Sequence, residues 1–255
     1  MKHNAAQVTM YSMMSAAVLS GVYALVIDVQ RHSIAIMAIL AFVNILAYST
    51  VAMTRVDALK YINSTIYFPV YKIATSIAAI PISIFLFSDS ITGKELIGIL
   101  LGIVTALALI TRKERARQED FRKGAIFLGI GIAAVLFGIS AAKTVSHLEL
   151  DLSLYLFMTF LMGVFLARWR YNSTNGKEHS SKNVARIGLI SGAFMFLNFL
   201  FFTKALSGDL AVVYVINSFS TVIAVLLSVA FYKEHFDLKK GFALLMMVAS
   251  LILLK

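Results

Sequence analysis

Hydrophobic and polar positions along this chain alternate on a long wavelength. Mostly apolar stretches of about 20 residues recur from end to end, divided by short polar segments. The stretches are too long and too evenly apolar for the strands of an outer-membrane barrel. In hydrocarbon each span must satisfy its own backbone hydrogen bonds, which leaves helices. The pattern predicts helices over residues 8–27, 34–60, 64–87, 95–111, 124–143, 152–170, 186–206, 210–232 and 239–254. The expected fold class is therefore all-α: a polytopic membrane bundle of about nine transmembrane helices. Two polar segments stand out, Thr111–Lys123 and Trp169–Arg186, and neither is long enough to hold a soluble domain.

Composition agrees. Of the 255 residues 60% are hydrophobic and 14% charged, against about 25% charged in soluble domains. The net charge of +10 raises nucleic-acid binding as an option. However, the basic residues gather in short loops, so membrane orientation explains them with no nucleic-acid partner. With the Thr111–Lys123 loop placed inside, only Arg31, Lys94, Lys143, Lys204 and Lys255 fall outside, and Lys72 lies within a span. This bias predicts a cytoplasmic N-terminus and, with nine spans, an external C-terminus, in a prokaryotic plasma (inner) membrane. The first apolar run lacks a small-residue cleavage motif and reads as a retained helix. The absence of cysteine excludes disulfides and thiol catalysis. No metal-ligand motif appears, so no metal or cofactor is expected, and no catalytic machinery is evident.

The chain also repeats itself. Ala58-Leu59 closes the second span and Ala205-Leu206 the seventh. Each pair precedes a polar-flecked helix, an acidic turn carrying Asp89 or Glu234, and a glycine-containing helix. An odd number of spans separates matching elements, so the halves should face opposite ways. On this reading residues 1–111 form a first repeat of four helices, 112–123 a cytoplasmic linker and 124–255 a second repeat of five.

The Ala-Leu pair, polar helix, acidic turn and glycine-containing helix resemble the drug/metabolite transporter superfamily, EamA type. The first half also resembles the small multidrug resistance proteins. The resemblance implies two five-helix repeats around a central substrate cavity; here the first repeat would be one helix short, its opening helix or another. Asp89 stands where the family usually has Glu. The small multidrug resistance proteins bind cations through a membrane-embedded Glu, and the matching stretch Leu19–Tyr23 carries no acid. Proton-coupled cation efflux by that route is therefore not expected.

Ionisable groups at bilayer depth are costly and point to function. Lys72 lies about 12 Å along the 64–87 helix. Both prolines of the chain, Pro69 and Pro81, fall in the same helix and are expected to kink it. Thr65, Pro69, Lys72 and Ser76 share one helical face, read as cavity-lining. In the second half Tyr214, Asn217, Ser218 and Thr221 form a polar stripe, with Tyr214 aligned to Tyr67. Asn44, Tyr48 and Asn198 add polar atoms on the flanking helices. These residues are the expected substrate site. The competing reading of Lys72 is an ammonium that snorkels or pairs permanently with an acid. Asp28, Arg55 and Asp57 lie near span ends and read as interfacial anchors. Gly129, Gly131 and Gly138 read as close helix packing.

The expected function is secondary transport of a small polar metabolite, anionic or zwitterionic and amino acid-like, by alternating access. The expected partners are the bilayer, the substrate and a coupling ion or counter-substrate, and a homodimer is compatible with the fold. The alternatives are a lipid or polyprenyl-phosphate flippase on the same fold, or a non-transporting membrane scaffold.

Overall fold

The computed structural model describes residues 4–27, 34–62, 64–108, 118–175 and 182–218, with isolated positions from 220 to 253. The described residues form eight α-helices and contain no strand. These are α1 (Asn4–Val26), α2 (Ile34–Ala58), α3 (Ser64–Phe87), α4 (Gly93–Ala108), α5 (Gln118–His147), α6 (Leu152–Asn175), α7 (Lys182–Ala205) and α8 (Leu210–Ser218). Among the described residues six stretches are long and apolar enough to cross a bilayer, within α1, α2, α3, α5, α6 and α7. Most of the predicted continuation of the eighth helix beyond Ser218 and more than half of the ninth, 239–254, lie outside the described residues, as do Asp28 and Glu234.

The largest boundary difference is at α5, which begins at Gln118. Residues 118–123, assigned to the linker on polarity, are thus helical. Polar residues with good helix propensity extend a span beyond its apolar window.

The structure divides into two compact units that do not follow the sequence halves. Unit 1 comprises Met1–Ala47 and Phe137–Ser207; unit 2 comprises Tyr48–Leu136 and Gly208–Lys255.

In unit 1, α1 packs against α6 and α7. The closest approach is made by Gly188 and Gly192, a small-xxx-small pair on α7. A Cβ at Gly188 would come 2.5 Å from Tyr11 Cβ, and one at Gly192 would overlap the Ser12 carbonyl. The Ser15 hydroxyl donates across this crossing to the Leu189 carbonyl at 2.9 Å. Against α6, the Gln7 amide donates to the Tyr171 hydroxyl at 3.0 Å. Phe160 meets Phe196 and Phe199 edge-on at 6.5 and 5.4 Å between ring centroids. Gly138 comes close to Asn44 and Ala47.

In unit 2, α3, α4 and α8 pack together around buried Ile99, Ala211 and Val215. Thr92 caps α4. Its backbone amide and hydroxyl both donate to Glu95 Oε2 at 2.7 Å, while the Glu95 amide returns a bond to the Thr92 hydroxyl, a capping box. Gly131 approaches Thr54, and Gly124 approaches Tyr61 and Ile62. Gly129 meets nothing within 4 Å, so of the three glycines expected at helix contacts only Gly131 and Gly138 are at one.

The acidic turn after α3 has a definite structural role. Asp89 Oδ2 accepts from the Ser83 hydroxyl at 2.6 Å and from the Leu210 amide at 3.0 Å. Leu210 opens α8, and its N–H has no partner within the helix. The first-half turn therefore caps a second-half helix. Asp89→Ala strands that amide and the Ser83 hydroxyl, with an expected loss of about 1–3 kcal/mol. A lowered melting temperature of the purified variant checks this, with Asp89→Asn retaining part of the loss.

Candidate substrate-binding site

The site is built where the last turn of α2 meets the first half of α3, inside unit 2. Arg55 sits in that last turn, where the partial negative charge of the helix end favours a cation. Its guanidinium carbon lies 5.8 Å from the centre of the Phe68 ring and 6.0 Å from that of Tyr71, within cation–π range. The rings hold one another. Tyr67 and Tyr71, one turn apart on α3, stack at 5.8 Å with 14° between planes, and Phe68 meets Tyr67 edge-on at 5.4 Å. Tyr67 is fully buried and Tyr71 nearly so. Val51, Ala58, Ile62 and Leu128 form the apolar floor beneath them.

Lys72 follows on α3, half-buried and within electrostatic reach of Arg55. Tyr48, two turns before Arg55 on α2, also lies within reach of that charge. The Lys72 carbonyl accepts from the Thr75 and Ser76 hydroxyls, each at 2.9 Å. The nearest acid in sequence, Asp57, is paired with exposed Lys60. Among the described residues no carboxylate pairs with Lys72 or Arg55. Two cations thus share one partly buried neighbourhood with no paired carboxylate among the described residues.

Of the residues expected at the site, Tyr67 and Lys72 share α3 with the rings that meet Arg55, and Tyr48, Tyr67 and Lys72 lie within electrostatic reach of its charge. Ser76 is buried on the same helix, with its hydroxyl proton committed to its own backbone. Asn217 is half-buried on α8. Thr65 and Pro69 lie in α3, and Tyr214 and Ser218 in α8, but their side chains are outside the described residues, as is the whole of Thr221. Pro81 is accommodated within the continuous span of α3. Two residues belong to unit 1: Asn44, which is buried, and Asn198, which is on the exposed face of α7. Asn44 there faces the fully buried Tyr155 hydroxyl.

The sequence reading did not include Arg55 or Tyr71 in the candidate site. Position near a span end marked Arg55 as an anchor; in the structure its Nε is buried and without a hydrogen-bond partner. The available signal was the Phe68/Tyr71 spacing on α3, which sets two rings on one face for a cation from a neighbouring helix.

Comparison with known proteins identifies the scaffold. The EamA-like transporter family matches residues 123–255. The chain belongs to this family. It is accordingly a multi-pass integral membrane protein of the drug/metabolite transporter type, whose partners are the lipid bilayer and a small-molecule substrate. Members of the EamA-like family are transporters, not enzymes. The match covers the half read from sequence as the five-helix repeat. A crystal structure of another protein shares the fold, with a TM-score of 0.72 at 13% identity, covering 96% of this chain and 86% of that one. Among curated proteins none matches.

Proposed function

We propose that this EamA-like protein is a secondary transporter for a small polar metabolite bearing a carboxylate or phosphate, an amino acid-like anion or zwitterion. The observation that carries the reading is Lys72, an ammonium within a span that has no paired carboxylate among the described residues. A charge at such depth is costly unless something compensates it, and a visiting anion would do so through charge-assisted hydrogen bonds. Tyr67, Tyr48 and the second-half residues Tyr214, Asn217, Ser218 and Thr221 supply hydroxyl and amide groups for the rest of the substrate. In this mechanism the two inverted repeats rock about the site, opening it to each side in turn. A substrate gradient, a counter-substrate or protons supply the energy.

Purified protein in liposomes, offered labelled anionic, zwitterionic and cationic solutes of equal size, tests the proposal. Anions or zwitterions should accumulate, with competition only within those classes. Accumulation of cations alone would overturn it. Scrambling of headgroup-labelled lipid without solute uptake would instead select the flippase reading.

A further inference from the structure

We infer that Arg55 is the second cation of the substrate site, and that the site selects a solute carrying two negative charges over one carrying a single charge. The inference rests on the reading of Lys72 as an anion-binding residue and extends it.

Three observations carry it. The guanidinium carbon lies within about 6 Å of the Phe68 and Tyr71 ring centres, and these contacts attract the charge without neutralising it. Its Nε is buried and unpartnered, and the Tyr67 hydroxyl, also buried and unpartnered, approaches the guanidinium without forming a hydrogen bond of normal geometry. Two donors in one cluster are therefore desolvated and unused, an arrangement proteins usually avoid. Finally, Arg55 lies against Phe68 and Tyr71, one turn before Lys72 and next to it on α3, and no carboxylate is paired to either cation among the described residues. Mutual repulsion of two such cations is relieved by one anion between them, and more fully by a dianion. A planar guanidinium binds the two oxygens of a carboxylate or phosphate in parallel, while an ammonium acts as a point charge. The pair therefore fits a dicarboxylate or a phosphate monoester, with the fork on one oxyanion edge and Lys72 on the remaining charge.

The experiment follows thermal melting of the full-length detergent-purified protein against succinate, glycerol phosphate and butyrate. In the unsubstituted protein the two dianions should raise the melting temperature at concentrations about tenfold lower than butyrate. Arg55→Gln should erase that preference while the butyrate response stays; Lys72→Met should weaken all three. Arg55→Lys keeps the charge and loses the fork, so its dianion response should weaken about threefold, which decides the matter if Arg55→Gln does not fold. An unchanged dianion preference in Arg55→Gln, or in Arg55→Lys alone if only that variant folds, overturns the inference. Equal responses of the unsubstituted protein to dianions and butyrate overturn it while sparing the Lys72 reading. No response to any of the three overturns it, and unchanged responses in Lys72→Met overturn the Lys72 reading.

Discussion

Replacing Lys72 with Met should abolish solute uptake while leaving membrane insertion and yield intact. The two side chains are similar in length and flexibility, so packing along α3 is little disturbed. What disappears is the charge. Removing one side of a buried, hydrogen-bonded charge pair costs about 2–5 kcal/mol, which is roughly 30-fold or more in affinity. The folded protein without substrate should be no less stable, because a half-buried ammonium with no paired carboxylate among the described residues costs free energy in hydrocarbon. The decisive pair of measurements is uptake per inserted molecule and melting temperature. Lost uptake with a retained or raised melting temperature is the expected result. Normal uptake removes Lys72 from the substrate site. A collapse in stability assigns it a structural role instead.

Gly192→Leu should prevent accumulation of folded protein. In lipid, helices associate through close van der Waals contact and interhelical hydrogen bonds, because the tails are as apolar as the side chains. The α1–α7 crossing relies on that closeness. The Gly192 Cα lies against the Ser12 carbonyl, which is backbone and cannot swing aside, and the Ser15 to Leu189 hydrogen bond depends on the same separation. A leucine there forces the helices apart, at an expected cost above about 3 kcal/mol. Gly129→Leu is the matched control, since a side chain at Gly129 meets open space, and it should change stability by less than about 0.5 kcal/mol. Size-exclusion profiles and melting temperatures of the two variants check both expectations. Equal tolerance of leucine at the two positions would show that the crossing is not tight.

Lys72 was legible because a cation inside an apolar run is conspicuous in one dimension. Arg55 was not. It falls near the end of a span, where cations ordinarily reach for the interface, and only the packing of α3 sets Phe68 and Tyr71 within about 6 Å of its guanidinium. Asp89 was visible as the acid of a turn, but its partner, the first amide of α8, is 121 positions away. The glycines tell the same story. Gly131 and Gly138 meet α2 residues, Gly129 does not, and Gly188 and Gly192, not singled out beforehand, make the closest crossing. A glycine permits close approach, but which face of its helix meets a neighbour depends on the packing.

The amino-acid sequence by itself determined that the chain is a membrane bundle of helices and where most of them run. Hydrocarbon leaves the backbone one local way to satisfy its hydrogen bonds, and local rules are written in local composition. Tertiary structure alone decided which cations share a neighbourhood, which turn caps which helix and which glycines touch. Those outcomes depend on contacts between positions far apart in the chain, which composition and periodicity do not encode.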